Sequence, residues 1–335
     1  MFDIITIGTA TQDVFLKSAE FKHVKDPKHL KKIGFVTGEA ECFALGSKME
    51  VEDIAVTYGG GATNAGVTFA RHGFRTAALV RIGDDEIGEQ VVRKLKKEKV
   101  QPIVVKDKKS RTAYSVILLL PTGERTILVY RGASEDLKKN EVKITKLKAK
   151  WAFIAPGNIP YAVIEWIVDY LKRGGTKIAM NLSGHYLKIG PKKLKPLLNN
   201  LDVVILNREE ASSLTGAKYS NERAIFRKFD KLISGIAVMT DGSRGSMVSD
   251  GRYIYRAGIY KEKKMTDRTG AGDAFGSGFI TGLIKKNDIA YAMKLASANA
   301  TSVVEHIGAQ EGILREKDFE ANRFKYLDLD IEPLL

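Results

Sequence analysis

The sequence has one cysteine and no hydrophobic run long enough to cross a membrane. Because Cys42 has no second cysteine to pair with, an internal disulfide is excluded, which fits a reducing compartment. No apolar run reaches the ~20 residues that a membrane-spanning helix needs. The first residues, MFDIITIG, carry no basic group before the apolar stretch and are not expected to be a secretory signal. We therefore expect a cytoplasmic protein without a membrane partner.

Acidic residues are scarce relative to basic ones, and the formal net charge is +14. An excess of this size can indicate a nucleic-acid or anionic-membrane surface. The basic clusters carry no recognisable nucleic-acid motif, however, and no interleaved aromatic residues for base stacking. We interpret them as solvated surfaces whose field attracts small anions, so a nucleic-acid partner is not expected. The clusters lie at 22–32, 93–99, 138–150 and 185–195.

Two common nucleotide-binding motifs are also absent. The chain contains no Gly-Lys dipeptide, which excludes the P-loop. No GxGxxG follows the first predicted strand, which argues against a dinucleotide-dependent dehydrogenase.

What the chain contains is a regular alternation of strand-like and helix-like segments. Six runs are almost continuously apolar and end in Gly, Asn, Asp or Ser, which is typical of parallel strands covered on both faces. They lie at 3–8, 76–83, 151–157, 176–183, 201–207 and 235–242. Helix-like segments lie at 62–72, 86–99, 160–174, 208–214, 220–233, 272–285 and 288–306. The alternation predicts a doubly wound, mostly parallel α/β sheet with helices on both faces, and ligands in such sheets bind beyond the carboxyl ends of the strands.

Two stretches break this alternation and predict a small additional β-sheet. Residues 112–130 form two extended runs around a turn at 121–124, which indicates a β-hairpin. Residues 10–57 are polar and basic and show no clear helix. We predict that 10–57 and 107–132 form a β-lid over a ligand, and that 1–9, 58–106 and 133–335 form the α/β core. A further hairpin is predicted at 246–256.

The stretch TDRTGAGDAFGSGFITGL, at 266–283, predicts an anion site with a base beside it. The backbone N–H groups of Gly270, Ala271 and Gly272 would open a helix, where unpaired N–H groups bind phosphate. Asp273 should stay ionised there and could accept a proton from a hydroxyl that attacks phosphorus. The alternative is that Asp273 only caps the helix. Three helix glycines should each cost about 1 kcal/mol relative to Ala, so close packing is expected to require them: Gly276, Gly278 and Gly282.

Other polar groups follow predicted strands. Residues 59–61, all glycine, open a second helix, and their uncharged backbone together with Asn64 suits neutral hydroxyls. Asp13 follows the first strand and suits vicinal hydroxyls. Asn207 ends a strand and Glu210 lies in the next helical turn, a pair that suits a hydrated Mg²⁺ ion. Taken singly, each of these residues also has a purely structural interpretation.

Taken together, the motifs point to one family. Asp13, GGGATN at 59–64, NREE at 207–210, MTDGSRG at 239–245 and DRTGAGD at 267–273 occur in this order. In combination they resemble the ribokinase-like (PfkB) carbohydrate kinase family, from Asp3 to about Gly312. The resemblance implies an ATP-dependent kinase, a transferase that uses Mg²⁺, with a lid that often pairs into a homodimer.

The resemblance also implies a role for each matching position. Asp273 corresponds to the general base and residues 270–272 to the anion hole. Asn207 and Glu210 correspond to the element that organises magnesium, for Glu210 through water, and the ATP phosphates. The other positions are nucleotide contacts at Thr240, Gly242, Gly245 and Asn299, acceptor contacts at Asp13, Gly60, Gly61 and Asn64, and a candidate site for a monovalent cation such as K⁺ at Asp267 and Thr269.

The sequence departs from the family pattern at two positions. Arg268 stands where a small residue or proline is more common, and it could contact phosphates or point to solvent. Gly-Ala-Ser at 132–134 replaces the more usual Gly-Ala-Asn. The segment 18–56 has no interpretation from sequence.

The acceptor is the least defined part of the prediction. Many family members carry Lys where this chain has Gly61, so an uncharged acceptor, either a free sugar or a nucleoside, is favoured over a sugar phosphate. A nucleobase would need an aromatic or apolar slot, although lid aromatics are more often packing residues. A non-catalytic sugar or nucleotide sensor on the same fold is a further alternative, but it would be expected to lack Asp273 or Glu210. The lid-region aromatics are Phe15, Phe35, Phe43, Tyr114 and Tyr130.

Overall fold

The structure is a computed structural model that describes residues 1–35, 37–120 and 125–334. Its strands are β1 (Phe2–Gly8), β2 (Thr11–Lys17), β3 (Lys22–Lys25), β4 (Glu39–Cys42), β5 (Asp53–Gly59), β6 (Thr76–Gly83), β7 (Val100–Asp107), β8 (Ala113–Leu119), β9 (Arg125–Tyr130), β10 (Ala149–Ala155), β11 (Lys177–Asn181), β12 (Val203–Asn207), β13 (Ile236–Thr240), β14 (Ser246–Ser249), β15 (Tyr253–Ala257) and β16 (Leu329–Pro333). Its α-helices are α1 (Pro27–Leu30), α2 (Gly61–Arg71), α3 (Glu86–Lys97), α4 (Tyr161–Arg173), α5 (Gly184–Leu187), α6 (Pro191–Leu198), α7 (Arg208–Thr215), α8 (Glu222–Phe229), α9 (Ala271–Lys286), α10 (Ile289–Val304) and α11 (Glu316–Phe319).

A ten-stranded sheet in the order β16-β15-β14-β13-β12-β11-β10-β1-β6-β7 forms the centre of the molecule. The strands from β13 to β7 pair in parallel, and β14, β15 and β16 add antiparallel pairs at one edge. The six predicted apolar runs lie on β1, β6, β10, β11, β12 and β13, and the seven predicted helices on α2, α3, α4, α7, α8, α9 and α10. The predicted α/β class is confirmed.

Side chains that alternate along the parallel strands fill two separate cores. On β10, Phe153 points to one face and packs with Phe69 of α2 and Phe279 of α9. Its neighbour Ile154 points to the other face and packs with Ile164 of α4. Because both faces of the strand are buried, the strand reads as a continuous apolar run rather than as an alternating one.

The sequence analysis missed the four-residue helices α5 and α11 and three longer elements, β7, β16 and α6. β7 is an edge strand with mixed burial, so its apolar signal is diluted. β16 is a short, mostly exposed strand at the opposite edge. α6 lies within a basic cluster, yet its leucines at 194, 197 and 198 are buried on one face. In addition, segment 10–57, where no helix was predicted, contains the four-residue helix α1.

A second, four-stranded sheet has the order β5-β2-β8-β9. The runs of the predicted hairpin at 112–130 pair in antiparallel fashion as β8 and β9, whereas the predicted turn at 121–124 lies outside the described residues. The hairpin predicted at 246–256 is present as β14 and β15. Segment 18–56 adds the small sheet β3-β4, and its Phe21 packs on Leu118 and Leu120 beside the four-stranded sheet. The division into a core and a lid stays a prediction.

No helix among the described residues has both the length and the hydrophobicity that crossing a bilayer requires.

Helices α9 and α10 pack unusually closely, because glycines of α9 face alanines of α10. A Cβ atom on Gly278 would lie 2.9 Å from the Cα of Ala296, and one on Gly282 would lie 2.4 Å from the Cα of Ala292. Gly276 faces the sheet, where an added Cβ would lie 3.2 Å from Ile205. The expectation that close packing requires these glycines is therefore confirmed.

Replacing Gly282 with Ala should destabilise the protein by about 1–3 kcal/mol, because the added methyl overlaps Ala292. Helix propensity alone would predict the opposite, a gain of about 1 kcal/mol. Urea unfolding of this variant, beside Gly184→Ala as a control with no atom within 4 Å of the added Cβ, measures the difference. A Gly282→Ala variant as stable as the wild type would contradict the packing argument.

Candidate active site

The polar residues of the predicted site meet at the carboxyl edge of the parallel sheet. Register pairs Gly8 with Ala155, and Asn207 with Thr240, so the ends of β1, β10, β12 and β13 lie side by side. Parallel strands place these ends at one edge, which is where ligands of such sheets bind.

The anion cradle lies at the start of α9. Gly270, the N-cap, has φ 79°, and a Cβ there would lie 2.3 Å from the Cβ of Ala309. The Ala271 N–H group donates to the carbonyl of Arg268 at 3.3 Å. In the described part of the chain, the N–H groups of Gly270, Gly272 and Asp273 have no acceptor. These free amides and the positive end of the α9 dipole are therefore available to an anion.

Asp273 lies in the first turn of α9 and faces α2. Its Oδ2 accepts a hydrogen bond of 2.8 Å from Nδ2 of Asn64. Burial raises the pKa of the Asp273 carboxyl, although the bond from Asn64 opposes that shift. A carboxylate with a raised pKa that is held by one donor is a suitable proton acceptor.

The glycine triplet before α2 brings the backbone close to two carboxylates. A Cβ on Gly59 would lie 2.3 Å from Oδ2 of Asp13. One on Gly61 would lie 2.5 Å from the Cβ of Ala155 and 3.5 Å from Oδ1 of Asp273. Gly60 has φ 100°, a conformation that favours glycine. A side chain at 59 would therefore displace the Asp13 carboxylate, and one at 61 would clash with Ala155 of β10 and push α2 away from the sheet.

Asp13 is only 6% exposed, and its carboxyl faces the same space. Burial raises its pKa to about 6, and the negative charges of Asp267 and Asp273 add to the rise. Bonds from Thr11 and Ser115 lower the pKa and offset part of this effect. Three carboxylates thus lie near one another at this edge, and a bound ligand with hydroxyl donors would relieve their desolvation.

A groove of about 310 Å³ lies on the side of the anion cradle that is away from Asp13 and Asn64. Ala271 and Gly272 line it, so the cradle connects directly to the groove. Its walls combine a turn after β13, one face of α10 and apolar side chains. The lining includes Thr240, Gly242, Gly245, Ile259, Met265, Arg268, Phe275, Ser297, Ala300, Thr301 and Val304. Arg268 lines this groove and is at the same time exposed to solvent.

Asn299 does not reach this groove. It is fully buried, its Nδ2 donates to the carbonyl of Ala274 at 2.9 Å, and its Oδ1 accepts from the N–H of Leu314. The predicted nucleotide contact of Asn299 is therefore corrected to a structural role that ties α10 to α9. The groove face of α10 instead carries Ser297, Ala300, Thr301 and Val304, whose i, i+3, i+4, i+7 spacing was a sequence signal that we overlooked.

Asn207 and Glu210 form a capping box at the start of α7. Asn207 Oδ1 accepts from the Glu210 N–H at 2.8 Å, and Glu210 Oε2 accepts from the Asn207 N–H at 2.9 Å. The second oxygen of Glu210 remains available for a hydrated cation, which fits the way proteins hold Mg²⁺. Burial raises the pKa of Glu210. Across the described ranges, no cluster of three or more His, Cys, Asp or Glu residues is arranged to hold a metal.

Arg208 links this capping box to the turn after β13. Its guanidinium is buried, and Nη1 donates to Asp241 Oδ2 at 2.8 Å and lies 2.9 Å from Glu222. The guanidinium also stacks on Tyr219 at 4.6 Å. The sequence analysis missed Arg208, because its partners are distant in the chain and an arginine after Asn207 reads as a surface residue.

Asp267 and Thr269 lie together beneath the four-stranded sheet. Asp267 Oδ1 accepts from the Thr269 N–H at 2.9 Å and from its hydroxyl at 2.7 Å, and Oδ2 accepts from the Gly308 N–H at 3.1 Å. The Nε atom of Arg125 on β9 lies 4.0 Å from Oδ1. A positive charge from the four-stranded sheet thus already faces the predicted cation site.

Comparisons with known proteins identify the family and the fold. A family model described as pfkB family carbohydrate kinase matches residues 28–316. The chain is 25% identical to a ribokinase of Haemophilus influenzae over 278 residues, which is 80% of this chain and 88% of the relative. It is similar in fold to Arabidopsis thaliana ribokinase solved with ribose and ATP, with a TM-score of 0.77, 19% identity, and 97% and 99% of the two chains covered. It is also similar to an adenosine kinase of Sinorhizobium meliloti, with a TM-score of 0.74, 21% identity, and 92% and 95% covered.

Replacing Asp13 with Asn should stabilise the ligand-free protein at pH 7.5 but not at pH 4. The folded-state pKa of about 6 lies above the usual 3.8. The ionised Asp13 therefore lowers the free energy of unfolding above about pH 6, by at most ~3 kcal/mol. Below about pH 4 Asp13 is protonated in both the folded and the unfolded state, so this loss of stability disappears. Thermal unfolding at both pH values, beside the exposed control Asp53→Asn, measures the effect. An equal gain at both pH values would contradict the argument.

Proposed function

Because this chain belongs to the pfkB family of carbohydrate kinases, we propose that it transfers the γ-phosphoryl group of ATP to a hydroxyl of a free sugar or a nucleoside. The observation that carries the proposal is the position of Asp273. Its carboxylate lies in the helical turn that also presents the free amides of residues 272 and 273, and the same turn borders both the groove and the space near Asp13.

Each side of the cradle then has one substrate. We assign the nucleotide to the groove, with its phosphates at the start of α9 and its base against α10. The acceptor is assigned to the space between Asp13, Asn64 and the glycine backbone at 60 and 61. Asp13 would accept bonds from vicinal hydroxyls, and the second N–H of Asn64 would donate to the acceptor.

Asp273 is proposed as the general base. It accepts the proton of the acceptor hydroxyl while that oxygen bonds to the γ-phosphorus and the bond from the γ-phosphorus to the bridging oxygen breaks, so that ADP leaves. The amides of Gly272 and Asp273 stabilise the charge that develops on the transferred group. The proton remains on Asp273 until the product departs. The raised pKa of Asp273 makes it basic enough for this step.

Magnesium is assigned to Glu210 through water, as its free carboxylate oxygen allows. When bound, Mg²⁺ neutralises phosphate charge. Arg208 positions the capping box of Asn207 and Glu210 relative to the turn at 240–245, because it lies on α7 and donates a hydrogen bond to Asp241. Arg268 adds a positive charge beside the groove.

A monovalent cation such as K⁺ is assigned to the loop of Asp267 and Thr269. Both carboxylate oxygens of Asp267 already accept N–H or O–H donors, so such an ion would be held mainly by backbone carbonyl groups. Arg125 supplies a competing positive charge to the same carboxylate. Rates in potassium chloride and in choline chloride decide whether the ion has a role.

A nucleoside acceptor is supported by the inner face of the four-stranded sheet. Register places Val129 beside Ser115, and Ser115 beside Asp13, so all three side chains share the face toward the core. Val129 and Ile127 are exposed there, and a nucleobase would cover them. A free sugar is supported by the ribokinase relatives instead. A sugar-phosphate acceptor and a non-catalytic sensor remain the alternative functions.

The outer face of the same sheet supports a homodimer. Ile54, Val56, Leu128 and Tyr130 are 51–61% exposed and together form an apolar surface. We propose that a second copy of the chain covers it, with light scattering of the wild type and Leu128→Lys as the measurement. A cytoplasmic location stays a prediction of the sequence.

Replacing Asp273 with Asn should lower kcat by at least ~10²-fold and leave ATP binding nearly unchanged, because only the proton acceptor is lost. ADP release from Mg-ATP is measured against free sugars, nucleosides and sugar phosphates, with ATP affinity determined by calorimetry. Turnover with one class in the wild type identifies the acceptor. Equal turnover in the variant would remove Asp273 from the mechanism, and an absence of turnover with every class would favour a sensor.

Replacing Glu210 with Gln should raise the Mg²⁺ concentration needed for half-maximal rate by about 10-fold or more, since the carboxylate is lost. Gln preserves the capping box, so the stability of α7 should not change. The matched control is Glu209→Gln, the same substitution at the exposed neighbouring position. Magnesium titrations of the rate distinguish the two variants. An identical response in both would exclude Glu210 as the magnesium residue.

A further inference from the structure

We propose that Gln310 is a positioning residue that sets the orientation of the Asn64 amide and, through it, presents an N–H group to Asp273. The inference rests on the proposed function only in calling Asp273 the base. The orientation of Asn64 is a property of the folded protein and can be tested without any substrate.

The contacts form a directional chain of hydrogen bonds. Gln310 is 2% exposed, and its Nε2 donates to Asn64 Oδ1 at 3.0 Å and to Thr63 Oγ1 at 3.2 Å. Asn64 in turn donates from Nδ2 to Asp273 Oδ2 at 2.8 Å. A side-chain amide has nearly the same shape when rotated by 180°, so its orientation is decided by its hydrogen-bond partners.

Thr63 determines which end of the Gln310 amide faces Asn64 in this series of hydrogen bonds. Its hydroxyl proton is engaged with the backbone carbonyl of Gly59, at 2.6 Å, and it also lies 3.0 Å from the carbonyl of Gly60. Because that proton is committed, Thr63 Oγ1 can only accept from Gln310, so the NH₂ end of Gln310 must face it. Asn64 must then offer its oxygen to the same NH₂ group, which leaves its own NH₂ group for Asp273.

The reversed orientation of Asn64 would be unfavourable at both ends. Its oxygen would face the carboxylate of Asp273, and its NH₂ group would face the NH₂ group of Gln310. A buried donor or acceptor without a partner has lost its hydration and gained no hydrogen bond in return, which destabilises that orientation. The glycine backbone at 59 and 60 thus determines, through two side chains, which atom meets the base.

The backbone of Gln310 is itself held by a buried ion pair. Nη1 of Arg71 donates to the carbonyls of Gln310 at 2.9 Å and of Ile313 at 2.7 Å. The same guanidinium pairs with both oxygens of Glu98 at 2.9 and 2.8 Å. The side chains of Arg71 and Glu98 are 8% and 10% exposed, so this ion pair is shielded from water. Gln310 therefore has little freedom to move away from Asn64.

The test uses Gln310→Met, which keeps the size of the side chain and removes its donor. The first readout is the side-chain NH₂ signal of Asn64 in protein labelled with ¹⁵N-asparagine, assigned by its loss in Asn64→Leu. We expect this signal to shift in Gln310→Met and to stay unchanged in the exposed control Gln101→Met. If Gln310→Met does not fold, Thr63→Val, which removes the hydroxyl that orients Gln310, should shift the same signal. An unchanged Asn64 signal in the folded variant overturns the inference.

The second readout is kinetic and applies once an acceptor is known. Gln310→Met should lower kcat about 10-fold with the KM for ATP within about twofold, since a misplaced base affects the transition state rather than nucleotide binding. In the Asn64→Leu background, Gln310→Met should cause no further loss of kcat, whereas multiplicative losses would overturn the inference. If the wild type transfers no phosphoryl group to any acceptor, the proposed function fails, while the Asn64 signal still decides the role of Gln310.

Discussion

One hydrogen bond, from the Asn64 amide to the Asp273 carboxylate, joins the two helices on whose first turns the candidate site is built. The two residues are 209 positions apart in the chain. The bond can form only because glycine backbone brings α2 next to Ala155 and Asp273, and because α9 is packed closely against α10. Loop 308–310 holds the arrangement from outside, with Ala309 against Gly270 and Gln310 against Asn64.

The electrostatics of the site follow from this crowding. Asp13, Asp267 and Asp273 lie near one another at one edge of the sheet, and burial raises the pKa of Asp13 and of Asp273. The opposing influences are the hydrogen bond from Asn64 to Asp273 and those from Ser115 and Thr11 to Asp13. A site of this kind is poorly solvated when empty, so a hydroxyl-rich acceptor on one side and an anion on the other would each relieve part of the cost of folding.

The parts of the fold that sequence could predict are those with a strong local signal. Strands such as β1 and β12 are buried on both faces and therefore appear as continuous apolar runs. Edge strands β7 and β16 lack that signal, and α6 was hidden within a basic cluster. The glycine motifs also gave a local signal for the starts of α2 and α9. Gly60 and Gly270, which precede these helices, have positive φ angles, and such a conformation favours glycine.

Sequence alone determined the α/β class, the family resemblance and the residue types that the site uses, because these depend on local periodicity and on short motifs. Only the tertiary structure decided which atoms meet. It turned Asn299 into the interior and placed Ser297 and Thr301 at the groove, because each step along a helix rotates the side chain by about 100°, so that positions two residues apart face nearly opposite sides. It also paired Arg208 with Asp241 and Gln310 with Asn64. Such pairings join residues far apart in the chain, and their hydrogen-bond directions are set by packing, which no local pattern records.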